Sequence, residues 1–346
     1  MYESFYGLTG KPFQLNPDPS FFFGSRGHKR AFAYLQYGLY QSEGFIIITG
    51  EVGAGKTTIV RSLFEQLDRE KVVAAQLVST QLDADDMLRA VGVAFGLPLK
   101  SVSKAIVLGS LEAFLCQLTM ENKRALLVVD EAQNLTPRAI EELRMLSNFQ
   151  LGDRALMQSF LVGQPELRTM MQSGAMQQLR QRVIASYHLG PLDEVETQAY
   201  IEHRLRHVGW AGDPAFEPAC FSLIHATTGG IPRRINTLCN RLMLAGFLAE
   251  KHVLGPVDVE SIASEIRDEL GSEGTLAPVP VAIAGESANA EAADTLAGDA
   301  ASWRMHFRRI EERLDRLDRT VGFAVDLLHR LLHPEKFSKP KTPVGR

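Results

Sequence analysis

The 346-residue chain is long enough for two or three domains, and its 45% hydrophobic and 23% charged residues are ordinary for a globular protein. A net charge of -4 argues against a dedicated, sequence-independent DNA binder, leaving room only for a local basic patch. Cys116, Cys220 and Cys239 form no CxxC pair and no metal-ligand cluster, which fits reduced thiols in a cytosolic core. The opening MYESFYGLTGKPF lacks a signal-peptide pattern, and no run of about 18 uncharged apolar residues occurs; a cytoplasmic chain with no membrane span of its own is expected.

Residues 1–43 begin rich in aromatics and turn formers (KPFQLNPDPSFFFG) and become helix-like from His28 to Tyr40. Five short apolar runs then suit buried strands: FIIIT (45–49), VVAAQLV (72–78), ALLVVD (125–130), QSFLVG (158–163) and VIASYHL (183–189). Helical stretches such as TTIVRSLFEQL, ADDMLRAVGVAFG and TPRAIEELRMLSN lie between them, so residues 44–192 predict an α/β core with a largely parallel sheet. From Asp193 to about residue 270 the strand signal gives way to four helical stretches, which predict a small all-α domain over 193–270. Residues 271–300 contain no Lys or Arg and are dominated by Ala, Gly, Pro and Ser, the composition of a flexible linker. Beyond it Phe307, Ile310, Leu314, Leu317, Val321, Ala324, Leu328 and Leu331 recur at spacings of three and four, with charges between them. That pattern predicts a coiled-coil helix over 301–333, self-associating or partner-binding, or else an amphipathic helix folded back on its own chain. A basic tail, 334–346, closes the sequence.

GEVGAGKTT, residues 50–58, fits G-x-x-x-x-G-K-[ST] between a predicted strand and a predicted helix. Gly50, Glu51, Val52, Gly53, Ala54, Gly55, Lys56, Thr57 and Thr58 are therefore the candidate nucleotide-binding residues. Glycines let successive backbone N–H groups close around phosphate oxygens, and the following helix start adds its positive end. Lys56 can reach the β- and γ-phosphates of ATP, and the Thr57 hydroxyl can ligate Mg²⁺. The partner acid is expected at the end of another buried strand, and LLVVDE supplies Asp130 for the metal and Glu131 as a general base. One strand, VVAAQLV, falls between the two motifs along the chain, so the acid's strand is not the phosphate-loop strand's immediate sequence neighbour, as in the additional-strand class of nucleoside triphosphatases.

With these motifs the chain resembles the AAA+ ATPases, and more narrowly the general secretion pathway protein A type. The opening MYESFYGLTGKPFQLNPDPSFFFGSRGHKRAFAYLQYGL, GEVGAGKTT, VVDEAQNLTPRAIEELRMLSN, FLVGQPELR, LRQRV and GIPRRINTLCNRL carry the resemblance over residues 1–270. With VVAAQLVSTQLDADD they look most like the secretion ATPases found with exosortase (PEP-CTERM) and exopolysaccharide systems. The resemblance implies a P-loop AAA+ fold with helices on both faces of the sheet, an N-terminal segment (1–43) at the nucleotide pocket, and a helical lid. It implies homo-oligomers with nucleotide at subunit interfaces, and partners in envelope secretion or polysaccharide-export machinery, reached through the C-terminal helix. Gln164 matches the first sensor, with Asn148 as a substitute and capping of the turn PEL as its bland role. Arg182 in LRQRV matches the finger reaching a neighbouring subunit's γ-phosphate, with Arg180 the alternative. Relatives often continue into a membrane-spanning helix and a peptidoglycan-binding domain, where this sequence has a linker and heptads.

GGIPRRINTLCNRL (229–242) places two arginines at a predicted helix start, where the helix dipole disfavours cations. Ile235, Leu238, Cys239, Leu242 and Gly246 share one face, and Arg233 points about 180° from its centre at 100° per residue. Arg233 is thus the candidate second-sensor arginine of an AAA+ lid, with Arg234 on the flank. Two alternative functions remain at this stage: a DNA-associated helper ATPase of the transposition type, and a nucleotide-switched scaffold with little turnover. Nucleic acid is not the expected partner.

Overall fold

Five strands form one parallel sheet: β1 (Phe45–Gly50), β2 (Val72–Val78), β3 (Arg124–Asp130), β4 (Met157–Gly163) and β5 (Val183–Leu189), in the order β2-β3-β4-β1-β5. The computed structural model describes residues 1–16, 18–78, 82–98 and 103–270. The expected linker (271–300), heptad helix (301–333) and tail (334–346) lie outside the described residues. Each strand coincides with its apolar run to within a residue, because a parallel sheet covered on both sides selects continuous Val, Ile and Leu. β4 lies between β3 and β1, so one strand separates the acidic strand from the glycine-loop strand in the sheet, and it is β4, not the intervening sequence strand β2.

Successive residues of a strand face opposite sides, and both sides are filled. Phe45, Ile47, Leu127, Val129 and Leu161 join a core with α3 (Ala84–Ala94), α4 (Lys104–Met120), α5 (Pro137–Leu146) and α6 (Pro165–Gln172). On the other side α1 (Arg26–Gln41) crosses the sheet and α2 (Lys56–Gln66) packs beside it. The crossing is close at Gly38, where an added Cβ would stand 2.5 Å from Ile46 Cγ1 and 2.8 Å from the Phe160 ring.

The four expected lid helices are α7 (Glu194–His207), α8 (Pro218–Thr228), α9 (Pro232–Leu248) and α10 (Pro256–Leu270). A two-residue parallel pairing, Ala215–Phe216 with Val253–Leu254, adds a strand element that is too short for a periodicity to register. The N-terminal residues belong to the lid's core: Tyr2, Tyr6, Leu8, Phe13 and Phe21 are buried with Ile201, Leu205, Leu238 and Leu242. Tyr2 Oη donates to Asn240 and Tyr6 Oη to the Lys251 carbonyl. The chain therefore starts in the lid, enters the sheet layer through α1, and returns to the lid after β5. Among the described residues no helix is long and apolar enough to cross a membrane.

Candidate active site

The parallel sheet delivers its strand ends to one edge. β1 ends at Gly50, β3 at Asp130 and β4 at Gly163, so residues 51–58, Glu131 and Gln164 all emerge there. A cavity of about 370 Å³ opens beside them, lined among others by Val52, Gly53, Gly55, Lys56, Thr57, Thr58, Glu131 and Arg233, with Asn16 and His28 from the N-terminal region. A larger depression of about 540 Å³ lies at the opposite edge, between residues 39–43 and 153–158. It contains no glycine loop and no helix start, so the smaller cavity is the chemically equipped one.

The loop itself is built for anions. Gly53 and Gly55 have φ of +83° and +99°, a region that side chains resist. Gly55 is the N-cap of α2 without any side-chain cap, leaving the first amides of that helix unpaired within it. Lys56 is buried, and its ammonium donates to the carbonyls of Gly50 at 2.7 Å and Glu51 at 2.9 Å, curled over the loop. Burial lowers its pKa, opposed by the negative charges of Glu131 and Asp130.

Asp130 is also buried, and desolvation raises its pKa despite hydrogen bonds from the Glu131 amide and Thr57. Thr57 Oγ1 donates to Asp130 Oδ2 at 3.2 Å, so the two expected metal ligands already meet. An all-oxygen pair containing a poorly solvated carboxylate fits a hard cation such as Mg²⁺. Among the described residues no cluster of three or more His, Cys, Asp or Glu could hold a metal, so such an ion would depend on phosphate oxygens for further ligands.

Glu131 follows directly, with φ of +53°, left-handed backbone that is costly for a residue bearing a side chain. Its carboxylate accepts from Gln133 Nε2 and, at 3.0 Å, from Gln164 Nε2. Gln164 occupies the N-cap of α6 but makes no side-chain cap there, so its amide serves Glu131 and not the turn PEL. Asn148 is exposed and outside the cavity lining.

Arg233 reaches the loop from the lid. Its amide donates to the Gly53 carbonyl at 3.1 Å, and a Cβ on Gly53 would stand 2.3 Å from Arg233 Cβ. The helix begins at Pro232 as predicted, with Ile235, Leu238, Cys239, Leu242 and Gly246 buried and Arg233 exposed on the cavity side.

The remaining two arginines are not brought to this site. Arg182 precedes β5, and its carbonyl accepts from the amide of Phe45 at the start of β1, a strand length (roughly 16 Å) from the loop. Its guanidinium donates to the Ser147 carbonyl and hydroxyl, both at 3.0 Å. Arg180 donates to the carbonyls of Met171 and Ser173. Neither lines the cavity.

Several lining residues escaped the sequence reading. Arg204, buried in α7, donates to the carbonyls of Pro12 and Gln14 and lies 4.7 Å from the Phe21 ring centre, binding the N-terminal segment to the cavity wall. Asn236 accepts from Tyr200 Oη at 2.9 Å. His28 touches the loop directly. Asn236 and His28 lie inside quoted motifs, but nothing in those motifs singles them out, and Arg204 belongs to none.

Residues 39–171 match the family model of the AAA domain. Over 273 residues the chain is 38% identical to general secretion pathway protein A of Aeromonas hydrophila, an alignment covering 78% of this chain and 50% of that protein. The chain thus spans about half the length of the curated relative it matches. Solved structures with a similar fold include the ORC2 protein of Aeropyrum pernix, with TM-score 0.52, 19% identity, and coverage of 69% of this chain and 66% of that one. Cdc6p of Pyrobaculum aerophilum matches with TM-score 0.54, 15% identity, and coverage of 76% and 71%. At these identities the likeness is one of fold: a P-loop AAA+ sheet with its helices.

Proposed function

We propose, for a chain that carries an AAA domain on the P-loop AAA+ fold, that it is a Mg²⁺-dependent ATPase working in envelope secretion. The observation that carries this reading is the convergence of Lys56, the Thr57–Asp130 pair and the Gln164–Glu131 pair on one cavity mouth. Loop amides and Lys56 hold the phosphates, and Thr57 with Asp130 hold the metal. Mg²⁺, when bound, neutralises charge on the β- and γ-phosphates. Glu131 takes a proton from the attacking water, and Gln164 fixes the carboxylate that does so. Arg233 reaches from the lid toward the γ-phosphate. Arg182, or Arg180, completes a neighbouring copy's site, which makes the working form a homo-oligomer.

The likeness to a general secretion pathway protein A supports a secretion machine as the partner; a cytoplasmic location is part of the same proposal. A finer assignment, to exosortase-linked exopolysaccharide export, rests on the overall likeness of residues 1–270. The 301–333 heptads are the proposed partner-binding element.

The purified chain should release phosphate from ATP only with Mg²⁺, and duplex DNA should leave the rate unchanged. Glu131→Gln should retain nucleotide binding while turnover falls about 10²–10⁴-fold, the usual contribution of a general base. Unchanged turnover in that variant removes Glu131 from the role. Negligible turnover in the unmodified chain favours a nucleotide-switched scaffold, and strong stimulation by DNA favours a transposition-type helper.

A further inference from the structure

His28 is 5% exposed, at the start of α1, and both ring nitrogens are committed. Nε2 lies 3.0 Å from the Ala54 carbonyl oxygen and Nδ1 2.7 Å from Ser25 Oγ. A carbonyl only accepts, so Nε2 carries the proton and donates; in the neutral ring Nδ1 then accepts from the Ser25 hydroxyl. Ser25 Oγ also accepts from the His28 amide at 3.2 Å, which is the N-cap bond of α1. Tautomer and ring orientation are thus fixed by the helix start.

That ring grips the middle of the phosphate loop. A trans peptide is planar, with carbonyl and N–H pointing in opposite directions. Holding the Ala54 carbonyl toward His28 therefore fixes the opposite direction for the Gly55 N–H, one of the loop amides available to phosphate oxygens. The contact is tight, since a Cβ on Gly55 would stand 2.6 Å from His28 Nε2. The same helix start is anchored in the lid: the Arg26 amide donates to Glu196 Oε1 at 2.9 Å, and its guanidinium pairs with Asp193 and Glu196, the capping box of α7.

We propose that His28 is a positioning residue for the phosphate loop, its Ser25-oriented Nε2–H holding the Ala54–Gly55 peptide so that the Gly55 N–H faces the nucleotide. This rests on the loop's being a nucleotide site, and the test separates the two claims. Calorimetric titration of Mg·ADP into the full chain is paired with hydrogen exchange of the 53–58 amides without nucleotide. His28→Leu, which removes the donor, should weaken Mg·ADP about tenfold and speed exchange about tenfold, the scale of one lost hydrogen bond. His28→Gln, whose amide can present N–H near the Nε2 position, should restore both. A merely structural role would lower the melting temperature in both variants without separating them by affinity. Leucine behaving like the unmodified chain, or glutamine failing as fully as leucine, overturns the proposal. If the unmodified chain binds no Mg·ADP, the nucleotide reading fails while the exchange comparison still decides the role of His28. Should the leucine variant not fold, Ser25→Ala frees the ring without removing it; faster loop exchange is then expected, and unchanged exchange is the overturning result.

Discussion

At the scale of single residues, chemistry here is set by burial and by what each buried group meets. Burial drives the His28 pKa below its ordinary value of about 6.5, with the Ala54 hydrogen bond and the Glu196 charge opposing it. The folded state therefore refuses a proton that the unfolded chain accepts. Stability from this site is complete above about pH 6.5 and is lost as pH falls from there through the lower folded value. Replacing His28 by Gln removes the titration but keeps the donor, so its melting temperature should fall less than that of the unmodified chain between pH 7 and 5. Identical slopes would show that other groups, such as His203, whose pKa is also lowered by burial, dominate acid sensitivity. None of this was legible beforehand, because a histidine inside a helical pattern does not announce that a loop 26 residues later folds onto it. Arg233 was legible, since a helix that begins at Pro232 and buries Ile235, Leu238 and Leu242 must point Arg233 away from that face.

At the scale of elements, the same distinction holds between what is local and what is assembled. The three central strands β1, β3 and β4 are buried along almost their whole length and read as apolar runs whose ends locate the loop, Asp130 and Gln164. The part-buried edge strands β2 and β5 carry polar residues such as Gln76 and His188 yet were still legible. Helix α4 could not be read as readily: Ile106 and Met120 are exposed while Val107, Leu111 and Leu115 are buried, so its apolar residues do not mark one face. Nor does periodicity reveal that Tyr2, Tyr6 and Phe13 fill the lid, a tertiary choice made by shape and by hydroxyl partners. Gly38 is another such choice. Within an isolated helix Gly→Ala would gain about 1 kcal/mol of propensity. In α1 the added methyl meets Ile46 Cγ1 at 2.5 Å and the Phe160 ring at 2.8 Å, both in strands too well packed to yield. Overpacking of this kind costs about 1–3 kcal/mol, so after the propensity gain Gly38→Ala should be net destabilising by up to about 2 kcal/mol in urea unfolding. A gain in stability would mean that α1 can ride away from the sheet.

At the scale of the whole molecule, the placement of the arginines makes a demand on assembly. Lys56, Thr57, Asp130 and Glu131 stand at the outgoing edge of the sheet, whereas Arg182 stands at the incoming edge, beside Phe45. If Arg182 takes part in hydrolysis, it does so in a second copy, through a head-to-tail contact in which each chain presents a loop on one side and an arginine on the other. The demand can be tested without knowing the number of copies. Lys56→Ala should lose nucleotide binding but still present Arg182, and Arg182→Ala should bind nucleotide but leave its neighbour unassisted. Each alone should be nearly inactive. Mixed in equal amounts, one interface in four pairs an intact loop with an intact arginine, so phosphate release should recover to about a quarter of the unmodified rate. Because Arg182 also holds the Ser147 carbonyl, its variant must first retain the folded spectrum and melting transition, and Arg180→Ala run in parallel assigns the role between the two. Recovery with one arginine variant and not the other identifies the finger; no recovery with either, in mixtures shown to co-assemble, would confine the chemistry to a single chain, whose cavity is lined by Arg233 and by Arg204, the latter held by the carbonyls of Pro12 and Gln14.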